Sequence, residues 1–234
     1  MRPPRSPILE ARALCFARGG HASLQEVSLE IAAGSFTALR GEPGSGRGML
    51  LRILGLLELP DSGDVLVSGV SASGLTTEAR AELRSARFGY VFAAPFLLGA
   101  LTVVENVAMP LFRISQASTA RARERTDELL AFAGLSHVAA MPTGSLPLRD
   151  QHRVSVARAL ANQPPVILVE QFGDLLGDEL AQLVELLRKA CTSYDTAVVM
   201  VTPSSFTPAD EDRVIELTGD VIKRDSIVAG ELRV

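Results

Sequence analysis

One stretch of the sequence decides the fold: Gly41-Glu42-Pro43-Gly44-Ser45-Gly46-Arg47-Gly48, between an apolar run at residues 35–39 and a helix-like run at 49–57. A strand, a glycine-rich turn and a helix in this order are typical of a phosphate-binding loop. In such loops backbone N–H groups surround phosphate oxygens, a Lys reaches the outer phosphates, and a Ser or Thr hydroxyl binds Mg2+. Here Arg47 stands at the lysine position and Gly48 at the hydroxyl position. The glycines of the loop are present, but its lysine and its hydroxyl are not. A glycine-rich turn with no ligand therefore stays an alternative.

The composition bounds the kind of protein that the chain forms. Its 234 residues suffice for one domain, or two small ones, with a substantial core. Lys and Arg number 23, Asp and Glu number 27, and the net charge is -4, so nucleic acid is not expected as a partner. The mean hydropathy of +0.23 fits either apolar surface that partners cover or a core rich in Ala and Leu.

Nothing in the sequence indicates secretion or membrane insertion. Cys15 and Cys191 lie far apart without ligand spacing, so we expect two buried thiols in a reducing compartment. The first seven residues lack an apolar segment, and no secretory signal is expected. The uncharged stretch at 88–104 approaches membrane-spanning length, but Pro95 interrupts it and favours a buried strand followed by a loop.

Apolar runs and turn residues divide the chain into strands and helices. Strands are predicted at 8–17, 24–31, 65–70, 88–92, 166–169 and 197–201, with a hairpin at 213–224. Helices are predicted at 49–57, at 77–87 behind a Thr76 or Thr77 cap, at 102–111 with Pro110 ending it, and at 121–133 and 179–191. Apolar strands that alternate with helices indicate an α/β fold with a sheet covered on both faces. We predict a single domain, 1–234, with a mixed-sheet core at 8–92 and 158–234 and an inserted helical subdomain at 93–157.

The segment Leu146–Leu160 makes the prediction specific. Together with Asn162-Gln163-Pro164 and an apolar strand that ends in an acid, it resembles the signature helix of ATP-binding-cassette (ABC) transporter subunits. The closest similarity is to the lipoprotein-release and macrolide-efflux type, through Ser62–Val65, Ala81–Arg84 and Leu101–Leu111. The resemblance covers residues 8–225. It implies an ABC-type nucleotide-binding domain with ATP and Mg2+ as cofactors.

The signature itself departs from the family pattern. Pro147-Leu148-Arg149, followed by Asp150, replaces the family's Ser-Gly-Gly, which contacts the γ-phosphate bound by the opposite subunit. A Cβ and a long side chain intrude there, and Pro147 has no N–H to donate. Proline in the first turn still allows a helix to begin. The resemblance therefore implies a retained helix without its phosphate contact.

Other departures also fall on positions that carry chemistry in the family. Glu170-Gln171 stands where the family has Asp-Glu, and an amide cannot act as a base near neutral pH. Ala93 replaces the Gln that senses Mg2+ and the attacking water, and Pro203 replaces the His that contacts the γ-phosphate. Phosphoryl transfer depends on such groups, so we expect negligible ATP hydrolysis and no metal ligands, and whether ATP and Mg2+ bind at all stays open.

The resemblance also implies partners and a location. We expect a catalytically degenerate subunit, structural or regulatory, peripheral on the cytoplasmic face of the cell membrane. Its partners would be an integral membrane permease subunit and a second ABC-type subunit of the same or a paralogous chain. The contact with the membrane subunit is expected at Phe96, Leu97 and Leu98.

Two alternatives stay open. In a working ATPase with atypical motifs, which would power export or lipoprotein release, Arg47 would neutralise phosphate and Glu170 would hold the metal. In a nucleotide sensor, ATP would bind without being hydrolysed. A small-molecule kinase is disfavoured, because a signature-like helix precedes the strand at Val166.

Overall fold

The computed structural model describes residues 7–18, 21–114, 117–175, 177–209, 212–219 and 221–227. A six-stranded sheet forms its centre, in the order β10-β9-β3-β8-β7-β6. Its strands are β3 Phe36–Gly41, β6 Phe88–Val91, β7 Val166–Val169, β8 Ala197–Thr202, β9 Arg213–Thr218 and β10 Val221–Ile227. All neighbours pair in parallel except β10, which is antiparallel to β9. The sheet is mixed, as predicted.

A second sheet of four antiparallel strands lies beside the first, in the order β2-β1-β4-β5. It contains β1 Pro7–Arg18, β2 His21–Ala32, β4 Ser62–Val67 and β5 Val70–Ser71. Along β2, Val27, Leu29 and Ile31 are buried while Ser28 and Glu30 are exposed. This alternation is the pattern of an antiparallel sheet with one solvated face. The strands at 8–17 and 24–31 were predicted, but the single strand predicted at 65–70 is wrong: β4 and β5 are separate strands on either side of a turn at Ser68 and Gly69, both of which have positive φ. A separate sheet was not predicted.

Six α-helices connect the strands in the described part of the chain. They are α1 Arg47–Leu54, α2 Thr77–Arg87, α3 Val103–Arg113, α4 Thr119–Ala133, α5 Leu148–Leu160 and α6 Gly177–Tyr194. Thr76 caps α2 by accepting from the N–H of Ala79 at 3.2 Å. No helix of the described residues is long and apolar enough to cross a membrane. The boundaries of the helical subdomain at 93 and 157 stay a prediction.

The prediction that Pro110 ends its helix is wrong. α3 continues through Pro110 to Arg113. A proline inside a helix removes one backbone hydrogen bond, but the carbonyl of Pro110 still accepts from the N–H of Ile114 at 2.9 Å. The capping box between Thr102 and Glu105 stabilises the start of the same helix.

Hydrophobic clusters cover both faces of the six-stranded sheet. Ala38, Val198 and Met200 point into one cluster together with helices α3 to α6, whereas Leu39 and Val199 point into the other, between the two sheets and α1. The side chains of a strand alternate between the two faces, so both can be buried when both faces are covered. Because β3, β6, β7 and β8 run parallel, their carboxyl ends meet at one edge of the sheet.

Candidate functional site

The glycine-rich loop joins β3 to α1, and crowding at two of its glycines fixes its shape. A Cβ on Gly41 would lie 2.6 Å from the carbonyl oxygen of Leu217, and one on Gly46 would lie 2.1 Å from that of Ser23. Gly46 also has φ +76°, a left-handed conformation that favours glycine. Gly48 has open space around its Cβ position. The loop thus needs glycine at 41 and 46 for packing.

The side chain of Arg47 turns back into the loop, where only 8% of the residue is exposed. Its Nη1 donates to the carbonyl oxygen of Glu42 and lies 3.4 Å from Oγ of Ser45. Its Nη2 donates to Oε1 of Gln171 at 2.7 Å. Arg47 therefore connects the loop to the segment that follows β7.

This guanidinium is buried without a carboxylate partner. Burial lowers the pKa of Arg47, and the more distant charge of Glu42 opposes that effect. Among the described residues no salt bridge includes Arg47, and its Nε is buried without a hydrogen-bond partner. The hydrogen bonds of Arg47 go to a carbonyl, a hydroxyl and an amide, all of them neutral acceptors.

Glu170 follows β7 and connects to the neighbouring strand. Its carboxylate accepts from the backbone N–H of Ala93 at 3.1 Å, and its own N–H donates to the carbonyl of Val91 at 2.9 Å. One carboxylate oxygen of Glu170 is therefore already hydrogen-bonded to the chain that follows β6.

A cavity of about 480 Å³ lies between the loop and these strand ends. The residues that line it are Ser23, Gly44, Ser45, Gly46, Arg47, Gly48, Met49, Arg52, Ala93, Glu170, Gln171 and Val201. Five residues of the predicted loop, together with Ala93, Glu170 and Gln171, are thus brought together. Pro203 follows β8 but does not line the cavity, and neither do Gly41, Glu42 or Pro43. Ser23 and Arg52 were missed, since neither belongs to a motif, although Arg52 lies on the loop's own helix.

The predicted signature remnant lies outside this cavity. Pro147 precedes α5, and its carbonyl accepts from the N–H groups of Asp150 at 2.9 Å and Gln151 at 3.1 Å. Leu148 is 38% exposed, and Asp150 lies within ion-pair distance of Arg149 and Arg153, at 3.8 and 3.7 Å. The helix therefore begins as predicted, with a hydrophobic and a charged side chain at its exposed end.

The segment Phe96–Leu98 is exposed on a rigid support. Phe96 and Leu98 are 70% and 51% exposed, while Leu97 packs partly against the core. Arg158 donates to the carbonyl oxygen of Phe96 at 2.8 Å. Fully buried Asn106 accepts from the N–H of Leu98 at 2.9 Å and donates to its carbonyl at 3.1 Å. The backbone contacts hold two large apolar side chains out toward solvent.

The two cysteines differ in burial. Both are free; Cys191 is buried as expected, whereas Cys15 is only half-buried, so the expectation of two buried thiols is wrong for Cys15. Burial raises the pKa of Cys191 to about 12. In the described part of the chain, no group of three or more His, Cys, Asp or Glu side chains is placed to hold a metal ion.

Comparison with known proteins identifies the family. The sequence pattern described as "ABC transporter" matches residues 24–170. The chain belongs to the ABC transporter family. The lipoprotein-releasing system ATP-binding protein LolD of Bordetella pertussis (strain Tohama I) is 35% identical over 203 residues, which cover 86% of this chain and 87% of that protein. LolD of Pseudomonas syringae pv. tomato (strain DC3000) is 36% identical over 197 residues, covering 84% and 86%.

Solved ABC cassettes have the same fold. One, a dimeric cassette in a post-hydrolysis state bound to ADP and Pi, matches with a TM-score of 0.80 and 29% identity, covering 95% of this chain and 99% of its own. The cassette cbiO1 of Clostridium perfringens matches with a TM-score of 0.85 at 20% identity, covering 95% and 89%. The predicted ABC-type α/β fold is confirmed.

The comparisons bear differently on the predicted loss of activity. The relatives are named ATP-binding proteins, and one matching cassette was solved with ADP and Pi. They therefore favour the working ABC ATPase over a degenerate one. The prediction of a degenerate site rests on residues of this chain, chiefly Arg47, Gly48 and Gln171.

Proposed function

We propose that this ABC cassette is a non-hydrolysing, structural or regulatory subunit on the cytoplasmic face of a membrane transporter complex. One observation carries the proposal: the guanidinium of Arg47 lies inside the phosphate loop, bonded to Glu42 and Gln171. A lysine at this position would reach the phosphates as a compact ammonium, which a broad planar fork does not reproduce. The loop's principal cation is thus engaged by the protein itself.

The residues around the cavity do not fit the magnesium ion that the family implies. Gly48 has no hydroxyl to bind it, and the one carboxylate that lines the cavity, Glu170, accepts a hydrogen bond from Ala93. Magnesium bound to ATP neutralises charge that develops on the transferring phosphoryl group.

The remaining chemistry of hydrolysis also lacks its groups. Gln171 cannot take a proton from an attacking water, because an amide has no useful basicity near pH 7. Pro203 has neither an imidazole nor an N–H. Single groups of this kind change phosphoryl-transfer rates by orders of magnitude, so their combined loss supports a non-hydrolysing subunit.

A working ATPase is the second candidate, and the names of the relatives favour it. In that case Arg47 would turn toward the phosphates and Glu170 would hold the metal. A sensor that binds ATP without turnover would need only the first of these changes.

Calorimetric titration of the purified protein with ATP, with and without Mg2+, separates these functions. We expect no saturable heat at millimolar ATP. Saturable, Mg2+-dependent binding would support the ATPase or the sensor. Turnover by the reconstituted complex then discriminates between those two: an ATPase has turnover and loses it on Arg47→Ala, whereas a sensor has none to lose.

We further propose that Phe96 and Leu98 contact an integral membrane permease subunit, with a second ABC-type subunit completing the assembly. Beside Phe96 lies a groove of about 360 Å³, lined in part by Phe92 and Arg158, both of which contact Phe96, and by Ile114. Two exposed apolar side chains, one of them beside a groove, are suited to a hydrophobic partner.

Phe96→Asp tests this contact and is expected to abolish co-purification of the permease without changing the Tm. Leu97 is less suitable for such a test, because it packs partly against the core. Leu59→Asp is the matched control, since Leu59 is an exposed apolar residue in a different turn. Co-purification that survives Phe96→Asp would argue against this docking surface.

A further inference from the structure

Arg47 and Gln171 join two elements that lie far apart in the sequence. Arg47 is the first residue of α1, and Gln171 follows β7 by two positions. The Nη2–Oε1 distance of 2.7 Å is typical of a strong hydrogen bond from a charged donor. Because Nη1 donates to the carbonyl of Glu42 at the same time, the guanidinium bridges the loop from within.

The environment of this guanidinium is unusual for a buried cation. Buried charges in proteins are generally paired with an opposite charge. Arg47 instead has neutral acceptors, and of those that the described residues provide, only the one on Gln171 lies outside the loop and its helix. The contact with Gln171 is therefore what fixes the orientation of the fork.

We propose that Arg47 and Gln171 form a latch that closes the phosphate loop from inside, so that a phosphoryl group can enter only when the Arg47 side chain is displaced. This inference rests on the proposed function, which it extends by naming what regulates access to the site. A neutral amide at 171 holds the cation moderately. A carboxylate at the same place would supply the missing negative charge and hold it more firmly.

The latch makes opposite predictions from a merely damaged active site for one substitution. Gln171→Glu returns the residue that the family uses as a base. In a damaged ATPase this change increases turnover. With the latch it creates a buried ion pair with Arg47, raises the Tm by about 2–4 °C and leaves both ATP binding and turnover absent.

A double-mutant cycle measures the contact directly. Arg47→Ala, Gln171→Ala and the double variant are compared by thermal unfolding, and the latch predicts that the two losses in Tm are non-additive by about 2–4 °C. Arg52→Ala is the matched control, because Arg52 is a cavity-lining arginine of the same helix that does not contact Gln171. Its effect should add to that of Gln171→Ala.

ATP without Mg2+ is the probe for access to the loop. Gln171→Ala frees the fork and is expected to bind ATP saturably where the wild type does not, because losing one hydrogen bond to a charged group changes the affinity by about tenfold. Gln171→Glu is expected to bind it less tightly than Gln171→Ala. Additive losses in Tm, or ATP binding by Gln171→Ala that is no tighter than that of the wild type, would overturn the latch.

These results are separable from a failure of the proposed function. Turnover by the wild-type complex that Arg47→Ala abolishes would reject the non-hydrolysing subunit. Non-additive losses in Tm would still support the latch in that case, as a gate on an active site.

Discussion

Nε2 of His152 lies 3.5 Å from Oδ1 of Asp174, with the imidazole fully buried and its ring packed edge-on against Phe172 at 4.7 Å. Among the described residues, neither ring nitrogen has a hydrogen-bond partner. Burial lowers the pKa of His152, and the charge of Asp174 only partly opposes this. The pair connects α5 to the segment that follows Gln171.

The first prediction is a loss of stability on acidification. The unfolded chain takes up a proton at its histidines near pH 6.5, whereas folded His152 resists protonation to lower pH. Above about pH 6.5, His152 therefore does not change the free energy of unfolding. Below that pH the free energy of unfolding decreases as the pH falls, by at most about 1.4 kcal/mol per pH unit.

Thermal unfolding between pH 5 and 8 measures this contribution. His152→Leu should flatten the dependence between pH 5 and 6.5, while the control His137→Leu, at an exposed position, should leave it unchanged. Asp174→Asn should steepen it, because the negative charge that favours the protonated ring is lost. An unchanged slope in His152→Leu would contradict the assignment.

Three of the four glycines of the loop, Gly44, Gly46 and Gly48, are predicted to respond differently to alanine. Gly46→Ala should lower the free energy of unfolding by at least about 3 kcal/mol, because its Cβ would meet a backbone oxygen in a left-handed conformation. Gly44→Ala should lower the free energy of unfolding by about 1 kcal/mol, because Gly44 has φ +84° but open space around it. Gly48→Ala should gain about 0.5 kcal/mol, since Gly48 lies in α1 with no nearby atoms. Urea unfolding ranks the three variants, and equal effects would contradict this account.

Asn106 is predicted to stabilise the exposed Phe96–Leu98 segment. Asn106→Leu leaves the N–H of Leu98 without its side-chain partner and removes one of the two side-chain donors to its carbonyl, the other being Thr143, at a cost of about 3 kcal/mol. Hydrogen exchange should accelerate at the amide of Leu98. Asn162→Leu is the control, because Asn162 makes one 3.3 Å bond to the carbonyl of Pro110 and should cost less. Unchanged exchange at Leu98 would count against this role.

The fourth prediction concerns the ion pair between Arg188 and Asp212. Two hydrogen bonds of 3.2 and 2.6 Å join them, and Asp212 is buried. Asp212→Ala leaves a partly buried cation unpaired and should cost about 3 kcal/mol. The exposed pair of Arg123 and Asp127 provides the comparison, and Asp127→Ala should change stability by less than about 0.5 kcal/mol. Chemical unfolding of both variants checks the difference.

The sequence was sufficient for the fold because its signals are local. Runs such as Val166–Val169 and Ala197–Thr202 are apolar throughout and were correctly placed in a sheet covered on both faces. The Thr76 cap and the start of α5 also depend on neighbouring residues alone. Pro110 was misjudged because a helix tolerates the loss of one bond when packing supports the next turn.

The candidate site was predictable only as a set of positions. The glycine frame and Gln171 were recognised, but their connection through Arg47 spans 124 residues of sequence and depends on the conformation of a side chain. The contact of His152 with Asp174 and that of Gly46 with Ser23 are equally tertiary. Periodicity and propensity describe which elements form, and they do not describe which side chains meet across them.

The crowding at Gly41 and Gly46 separates the form of the loop from its chemistry. A chain that had no use for a nucleotide would still be unable to give up these glycines, because their replacement would disturb the sheet beside them. Gly48 has no such crowding, since no atom lies near its Cβ position. The spacing of the glycines therefore reflects packing, and the function of the loop depends on the side chains between them. The side chains of this loop could therefore be replaced to bind a different anion while its backbone conformation is kept.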